Sequence, residues 1–324
     1  MSERTESLAG FHDPVLVREV MELLAPAGDG LYLDGTVGGG GHSAILLEEC
    51  VSCEVIAVDR DPDALEAAKV RLAPFGSRVR FIQARFDEAL RFADLPGPLT
   101  GVLLDLGVSS HQLDSDRRGF AFRAGVELDM RMDGTQESDT REGDTHVGVP
   151  DAAQILNTEP EEVLARIFHE YGEEPRSRRL ARAVVGRRAG TPFRTSDDLV
   201  AVLYRTLGRA PKAKEKARIF QALRIAVNQE LTCLERGLEG FREAMAPDAR
   251  IVVISYHSLE DRLVKNTFRE WSRSCVCPPG MPVCTCRGAP LGSLLTRKAV
   301  RPSDVEVRRN PRARSARLRA WKKG

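Results

Sequence analysis

Three acidic residues, each closing a short apolar run, are the side chains that spacing best equips for chemistry. Asp34 ends Leu31-Tyr-Leu, Asp59 ends Val55-Ile-Ala-Val, and Asp105 ends Gly101-Val-Leu-Leu. Carboxylates at strand ends accept hydrogen bonds from hydroxyls and amines and attract cations. The first acid is followed by Gly35-Thr-Val-Gly-Gly-Gly-Gly-His42, a loop with five glycines, and then by Ser43-Ala-Ile-Leu-Leu with helical spacing. Glycine reaches positive φ cheaply and, lacking Cβ, lets a ligand lie against the backbone at a helix N-terminus. A surface loop alone would account for the glycines. Asp59, standing where a doubly wound fold puts its ribose-binding carboxylate, argues for a nucleotide-type site.

Two cofactor classes fit such an entry. A dinucleotide would use Gly-x-Gly-x-x-Gly to seat a pyrophosphate, and Val37 spoils that spacing. S-adenosylmethionine has no pyrophosphate and is gripped by glycine backbone and strand-end carboxylates. The trio Asp34, Asp59 and Asp105 favours this sulfonium cofactor.

Residues at strand ends need a sheet to hold them. Apolar residues recur at Val15, Leu16, Val20, Leu23 and Leu24, a helical stripe ended by Pro26 and Gly28. Four strands follow, ending at Asp34, Asp59, Ile82 and Asp105. A helix begins after the second, with Asp61 as N-cap and Pro62 in its first turn. From Leu106 to Pro150 no period is sustained, and a loop of that length carries a function or is disordered. Helical patterns then cover Ala152 to Leu156, Glu159 to Tyr171 and Arg178 to Arg188, with Ser196 capping Leu199 to Leu207. Ile219 to Met245 reads as one long helix, Arg250 to Ser255 as the strand that rejoins the sheet, and Leu259 to Trp271 as a helix. Residues 273 to 296 read as irregular. The spacing thus predicts an α/β fold interrupted by a helical insertion, dividing the chain into 1–113, 114–216 and 217–324.

Composition sets the class of partner. The 324 residues, 42% hydrophobic and 29% charged, suit a soluble globular protein with ample core. No apolar run reaches the roughly 18 residues of a membrane span and the start is polar, so a cytoplasmic location is expected. Net charge is +1, yet residues 176–218 hold thirteen Lys or Arg against three acids, and residues 297–324 hold eleven against two. Two basic zones on an otherwise acidic chain point to a polyanion, nucleic acid first, although solvated helix faces would give similar runs. Seven cysteines argue against a disulfide scaffold. Four of them, Cys275-Val-Cys277 and Cys284-Thr-Cys286, have the composition of a tetrathiolate zinc site but tighter spacing than common zinc ribbons. No metal is assigned to the chemistry.

Several strings together resemble the bacterial ribosomal RNA small-subunit methyltransferase H family. They are His12-Asp-Pro-Val-Leu, Asp34 to His42, Asp59-Arg-Asp-Pro, Leu104-Asp-Leu-Gly-Val-Ser-Ser110, Gln112-Leu-Asp, Arg118-Gly-Phe, Leu128-Asp-Met-Arg-Met-Asp133, Phe220-Gln-Ala-Leu-Arg-Ile, Ser255-Tyr-His-Ser-Leu-Glu-Asp-Arg and Asn310-Pro-Arg-Ala-Arg-Ser. The likeness spans nearly the whole chain. His111 and Lys214-Glu-Lys depart from the family's usual pattern. The resemblance implies a class I S-adenosylmethionine-dependent methyltransferase sheet, Rossmann-like, with an inserted helical domain that helps bind RNA. It implies N4-methylation of a cytidine in the small-subunit (16S) RNA, with the assembled subunit as substrate. Its cofactor contacts would be Gly40, Gly41, His42, Asp59, Phe86, Asp105 and Gln112.

Within that frame Asp105, with backbone carbonyls of Leu106 to Ser110, is the acceptor expected to hold the reacting amine. A purely cofactor-binding role for Asp105 fits the same position, and His257 at a strand end is a further candidate participant, although a histidine there is more often structural. Arg218, Arg224, Arg312 and Arg314 are the expected phosphate contacts. Two rivals stand beside this reading. A nicotinamide oxidoreductase would need a regular glycine fingerprint, and a non-enzymatic RNA-binding assembly factor would not need an intact loop with strand-end acids.

Overall fold

The computed structural model describes residues 14–109, 112–113, 115–133, 149–277, 283 and 285–324. His12, Ser110, His111 and Cys284, singled out above, lie outside them. Two compact units form: one from the N-terminal part through Gly107 together with Leu231–Gly324, the other from Val108–Glu230.

The first unit begins with α1 (Val17–Leu24), β1 (Leu31–Asp34), α2 (Gly41–Glu49), β2 (Glu54–Asp59) and α3 (Pro62–Leu72). It continues through β3 (Val79–Gln83), the single turn α4 (Ala89–Phe92) and β4 (Leu99–Asp105). As expected, Asp61 caps α3, accepting from the Asp63 N–H at 3.1 Å, with Pro62 in the first turn. The second unit supplies α5 (Ala152–Thr158), α6 (Glu161–Glu170), α7 (Ser177–Arg188), α8 (Ser196–Leu207) and α9 (Ala213–Asn228). The chain then gives α10 (Glu230–Ala244), β5 (Met245–Ser255), α11 (Ser258–Trp271), β6 (Gly292–Leu294), α12 (Asp304–Arg309) and β7 (Arg317–Lys323).

The sheet order is β3-β2-β1-β4-β5-β7-β6. β1 to β5 run parallel, and β7 pairs antiparallel with both β5 and β6. Successive side chains of a strand face opposite ways. Here both faces are covered, so the strands read as continuous apolar runs. Tyr32, Val55, Ala57, Leu103, Val252 and Ile254 share one core with residues of α1, α2 and α3. Leu33, Ile56, Val58, Val102, Leu104, Ile251 and Val253 share another with α10 and α11. The chain order reverses between β1 and β4, and in open parallel sheets the crevice beyond the carboxyl ends at that switch point is where ligands bind.

The second unit has its own apolar core, to which α5 to α9 contribute. Phe120, Leu128, Met130 and Met132 belong to it, so this part of the unpatterned stretch after Asp105 is packed structure.

Several expectations are corrected. The long helix from Ile219 is two: Gln229 sits at φ 51, in the left-handed region, and its N–H closes α9 on the Ala226 and Ile225 carbonyls. Apolar periodicity runs through that break and hides it. Because α9 packs on α5 and α6, the second unit extends to Glu230 rather than stopping near Lys216. Thr195, not Ser196, caps α8. Cys50 and Cys53 are joined by a disulfide that the absence of a scaffold pattern did not suggest. The basic C-terminal stretch ends in β7, with Leu318, Ala320 and Trp321 fully buried.

Candidate active site

The strand-end acids lie side by side because their strands do. Asp34 pairs in register with Ala57 on one side and Leu103 on the other, so Asp59 and Asp105 each project two residues further along neighbouring strands. The glycine loop is sewn between those ends. Gly35 N–H donates to the Leu103 carbonyl at 2.9 Å and Val37 N–H to the Val58 carbonyl at 2.8 Å. Gly38 N–H donates to Asp59 Oδ2 at 2.9 Å, and Asp105 N–H to Thr36 Oγ1 at 2.6 Å. Asp34 holds the loop from below, accepting from Thr36 N–H and from Ser43 Oγ at 2.6 Å.

The glycines divide in purpose. A Cβ on Gly35 would meet Leu104 Cδ2 at 2.5 Å, and one on Gly40, at φ 78, would press on Leu72 and Ala68 of α3. Gly41 is crowded by Pro14 and Arg71. These three serve close packing. Gly38, at φ 52, has nothing nearer than the Thr36 carbonyl at 3.9 Å and is an open part of the loop.

The carboxyls are electrostatically unusual. Burial pushes Asp59 up to about 6, against the pull of backbone N–H groups of Asp61 and Gly38. Burial also pushes Asp105 up to about 7, opposed by a hydrogen bond in which Tyr256 Oη donates to Asp105 Oδ1 at 2.9 Å. Among the described residues no Lys or Arg pairs with either acid. Acids left in a low dielectric without a cation favour a ligand that brings one. Tyr256 itself is held well above its usual range by burial and by Asp105, so it stays a proton donor.

His42 is buried, and its Nε2 lies 2.9 Å from the Val15 carbonyl. A carbonyl only accepts, so Nε2 carries the hydrogen, and burial lowers the ring's pKa and keeps it neutral. Its bare Nδ1 then faces Asp105 Oδ2 at 3.8 Å. Phe86, just beyond β3, packs against Gly35 and Gly237 and lies 6.5 Å from the Phe241 ring, half-buried. The structure therefore brings Gly40, Gly41, His42, Asp59, Phe86 and Asp105 into one unit around the carboxyl edge of β1, β2 and β4.

Gln112 belongs to the other unit, buried, its carboxamide oxygen accepting from Ser109 N–H at 2.9 Å. The arginines separate into two kinds. Arg218 pairs with the buried Glu174 at 2.7 Å, and Arg224 grips Glu230 with two bonds of 2.8 Å. Carboxylates of the same unit pair with both, which gives each a structural role beside the expected phosphate contact. Arg312 and Arg314 are exposed on the single turn Pro311–Ser315. His257 caps α11, its ring accepting from Glu260 N–H, which gives it a structural role. Tyr256, hydrogen-bonded to Asp105, is a candidate site side chain that sequence reasoning missed. Its adjacency to His257 in the Ser-Tyr-His-Ser string was the available signal.

A model of the MraW methylase family matches residues 9–324. The chain belongs to that family, and its sheet, loop and acids make it a class I S-adenosylmethionine-dependent methyltransferase. The ribosomal RNA small subunit methyltransferase H of Gemmatimonas aurantiaca is 49% identical over 316 residues, covering 96% of this chain and 95% of that protein. Its counterpart from Symbiobacterium thermophilum is 46% identical over 319 residues, covering 97% and 96%. Among solved structures, a putative methyltransferase from Streptococcus mutans in complex with SAH aligns at a TM-score of 0.43 and 10% identity, covering 97% of this chain and 100% of that one.

Proposed function

We propose that this protein methylates the exocyclic N4 of a cytidine in small-subunit (16S) ribosomal RNA, acting on the assembled subunit in the cytoplasm. The observation that carries the reading is Asp105: a carboxyl at the switch point, pushed to about 7, oriented by Tyr256 and paired with no Lys or Arg among the described residues. The names of the relatives supply the RNA.

The donor set fits the cofactor. Two acids without a basic partner suit a molecule carrying an ammonium and a sulfonium. Asp59, fixed by two backbone N–H groups, keeps lone pairs for ribose hydroxyls. When bound, S-adenosylmethionine would supply an electrophilic methyl group, its S–CH3 bond breaking as the N–C bond forms and neutral S-adenosylhomocysteine leaving. The open backbone at Gly38 and the first-turn N–H groups of α2 are the remaining loop contacts, and Phe86 offers a ring face for adenine.

Asp105 does the chemical work of this reading. The cytosine amine is a poor nucleophile because its lone pair is delocalised into the ring, so it must be held in line and allowed to pyramidalise. The carboxylate accepts a hydrogen bond from the amine, offsets positive charge as the N–C bond forms, and takes the departing proton. Tyr256 keeps that carboxylate in one orientation. A base enters such a site only when unstacked, which an exposed RNA loop allows most cheaply. The second unit, with its exposed Arg178, Arg179, Arg182 and Arg205, is the proposed RNA-binding part, and Arg312 and Arg314 add phosphate contacts from the first.

Single-turnover methyl transfer to unmodified small subunits tests the proposal. Transfer to the subunit RNA that is saturable in S-adenosylmethionine supports it. Tight RNA binding without transfer would favour the assembly-factor reading.

A further inference from the structure

We propose that Cys275, Cys277 and Cys286, from the chain between α11 and β6, bind a zinc ion whose fourth tetrahedral position is taken by water. Their sulfur atoms all lie within 4.8 Å of one another. A tetrahedral zinc with Zn–S bonds of about 2.3 Å sets its sulfurs about 3.8 Å apart, so closure needs a contraction of about 1 Å at most. Loop backbone can supply that. Soft thiolates select zinc over magnesium or calcium, which prefer oxygen.

Two further observations point the same way. Val276 N–H donates to Cys286 Sγ at 3.3 Å, and an amide aimed at a sulfur stabilises the thiolate that a metal requires. The ends of the segment are already fixed, so the thiols are gathered before any metal arrives. Arg287 binds Glu270 Oε1 at 2.9 Å and the Arg273 carbonyl at 3.0 Å, and Leu291 N–H donates to the Trp271 carbonyl at 2.8 Å. Cys275 is exposed and the other two are half-buried, so an ion has access. Cys284 lies outside the described residues and is left out of the site. The proposed metal takes no part in methyl transfer, which uses alignment and the Asp105 acceptor.

The test uses the full chain, purified in reductant without a metal-affinity tag. Elemental analysis after gel filtration is expected to find about one zinc per chain, falling roughly tenfold or more in Cys275→Ser and in Cys286→Ser. Cys233→Ser, a buried thiol elsewhere, is expected to keep the metal. Titrating cobalt into the chelated protein should give a thiolate-to-cobalt charge-transfer band that both loop variants lose. Circular dichroism identifies any variant that fails to fold, and the cobalt titration of the unmutated protein stands regardless. No retained zinc together with no charge-transfer band would overturn the proposal, as would zinc undiminished in both loop variants.

Discussion

Tyr256 Oη donates to Asp105 Oδ1 across 2.9 Å, joining the strand-end acid of β4 to the residue that follows β5. That bond favours the ionised carboxylate, the form that the proposed acceptor role requires. Tyr256→Phe removes it, so the Asp105 pKa should climb further above about 7. A hydrogen bond to a charged group contributes about 1.5 to 3 kcal/mol, and one pH unit corresponds to about 1.4 kcal/mol. The acidic limb of the single-turnover rate should therefore move alkaline by about one to two units, with the plateau rate largely kept. Asp105→Asn, by contrast, should abolish transfer at every pH while leaving the circular dichroism intact. An unshifted profile in Tyr256→Phe would reduce the tyrosine to packing.

Asp59→Ala should weaken S-adenosylmethionine binding by about 1.5 to 3 kcal/mol, the range for a hydrogen bond to a charged group. Part of that loss comes through the loop, because Gly38 N–H loses its acceptor. Calorimetry measures it, and an affinity within twofold of the unmutated protein would remove Asp59 from the cofactor site.

Much of this site could be read directly. Strand, glycine loop, helix and strand-end acids are local patterns, and burial on both faces turned β1, β2 and β4 into unbroken apolar runs. The break at Gln229 was not legible, because a polar residue in the left-handed region leaves no mark when apolar spacing continues on both sides. β7 was hidden by its own charges: Arg317 and Arg319 look like a solvated tail until Asp261 is seen accepting from them at 3.0 and 2.6 Å. Charge counts ignore distant carboxylates, and Tyr256 finds Asp105 only through the pairing of β4 with β5.

The raised carboxyls make a prediction about pH. Asp34 and Asp59 are pushed up to about 6 and Asp105 to about 7, while an unfolded carboxylate titrates near about 4. Between those values the native chain keeps protons the unfolded chain has released, so these groups' contribution to stability falls as pH rises from about 4 to about 7. A cationic ligand reverses the preference. S-adenosylmethionine affinity should rise over the same window with proton release, and Asp59→Asn and Asp105→Asn should each flatten both trends. Melting temperatures and calorimetry in buffers of different ionisation enthalpy provide the check. A pH slope for cofactor binding unchanged in both variants would refute the assignment.

Arg312 and Arg314 are exposed, whereas Arg317 and Arg319 serve Asp261. Neutral substitutions at the first pair should weaken subunit binding and lower its salt slope by about one to two, since each phosphate contact releases counterions. Arg319→Ala should instead lower the melting temperature, because it leaves a largely buried carboxylate short of a partner. Affinity measured against salt separates the two, and an unchanged slope for the Arg312 and Arg314 variant would show that this turn does not touch RNA.

Locating the methyl group in the product nucleoside decides whether transfer goes to a cytidine N4. Small subunits lacking the modification are incubated with the protein and S-adenosylmethionine, their RNA is digested, and the nucleosides are resolved by mass spectrometry against N4-methyl and C5-methyl cytidine standards. N4-methylcytidine is expected at one position of the small-subunit RNA, absent with Asp105→Asn. A methyl group on ring carbon C5, on another base, or on none would contradict it.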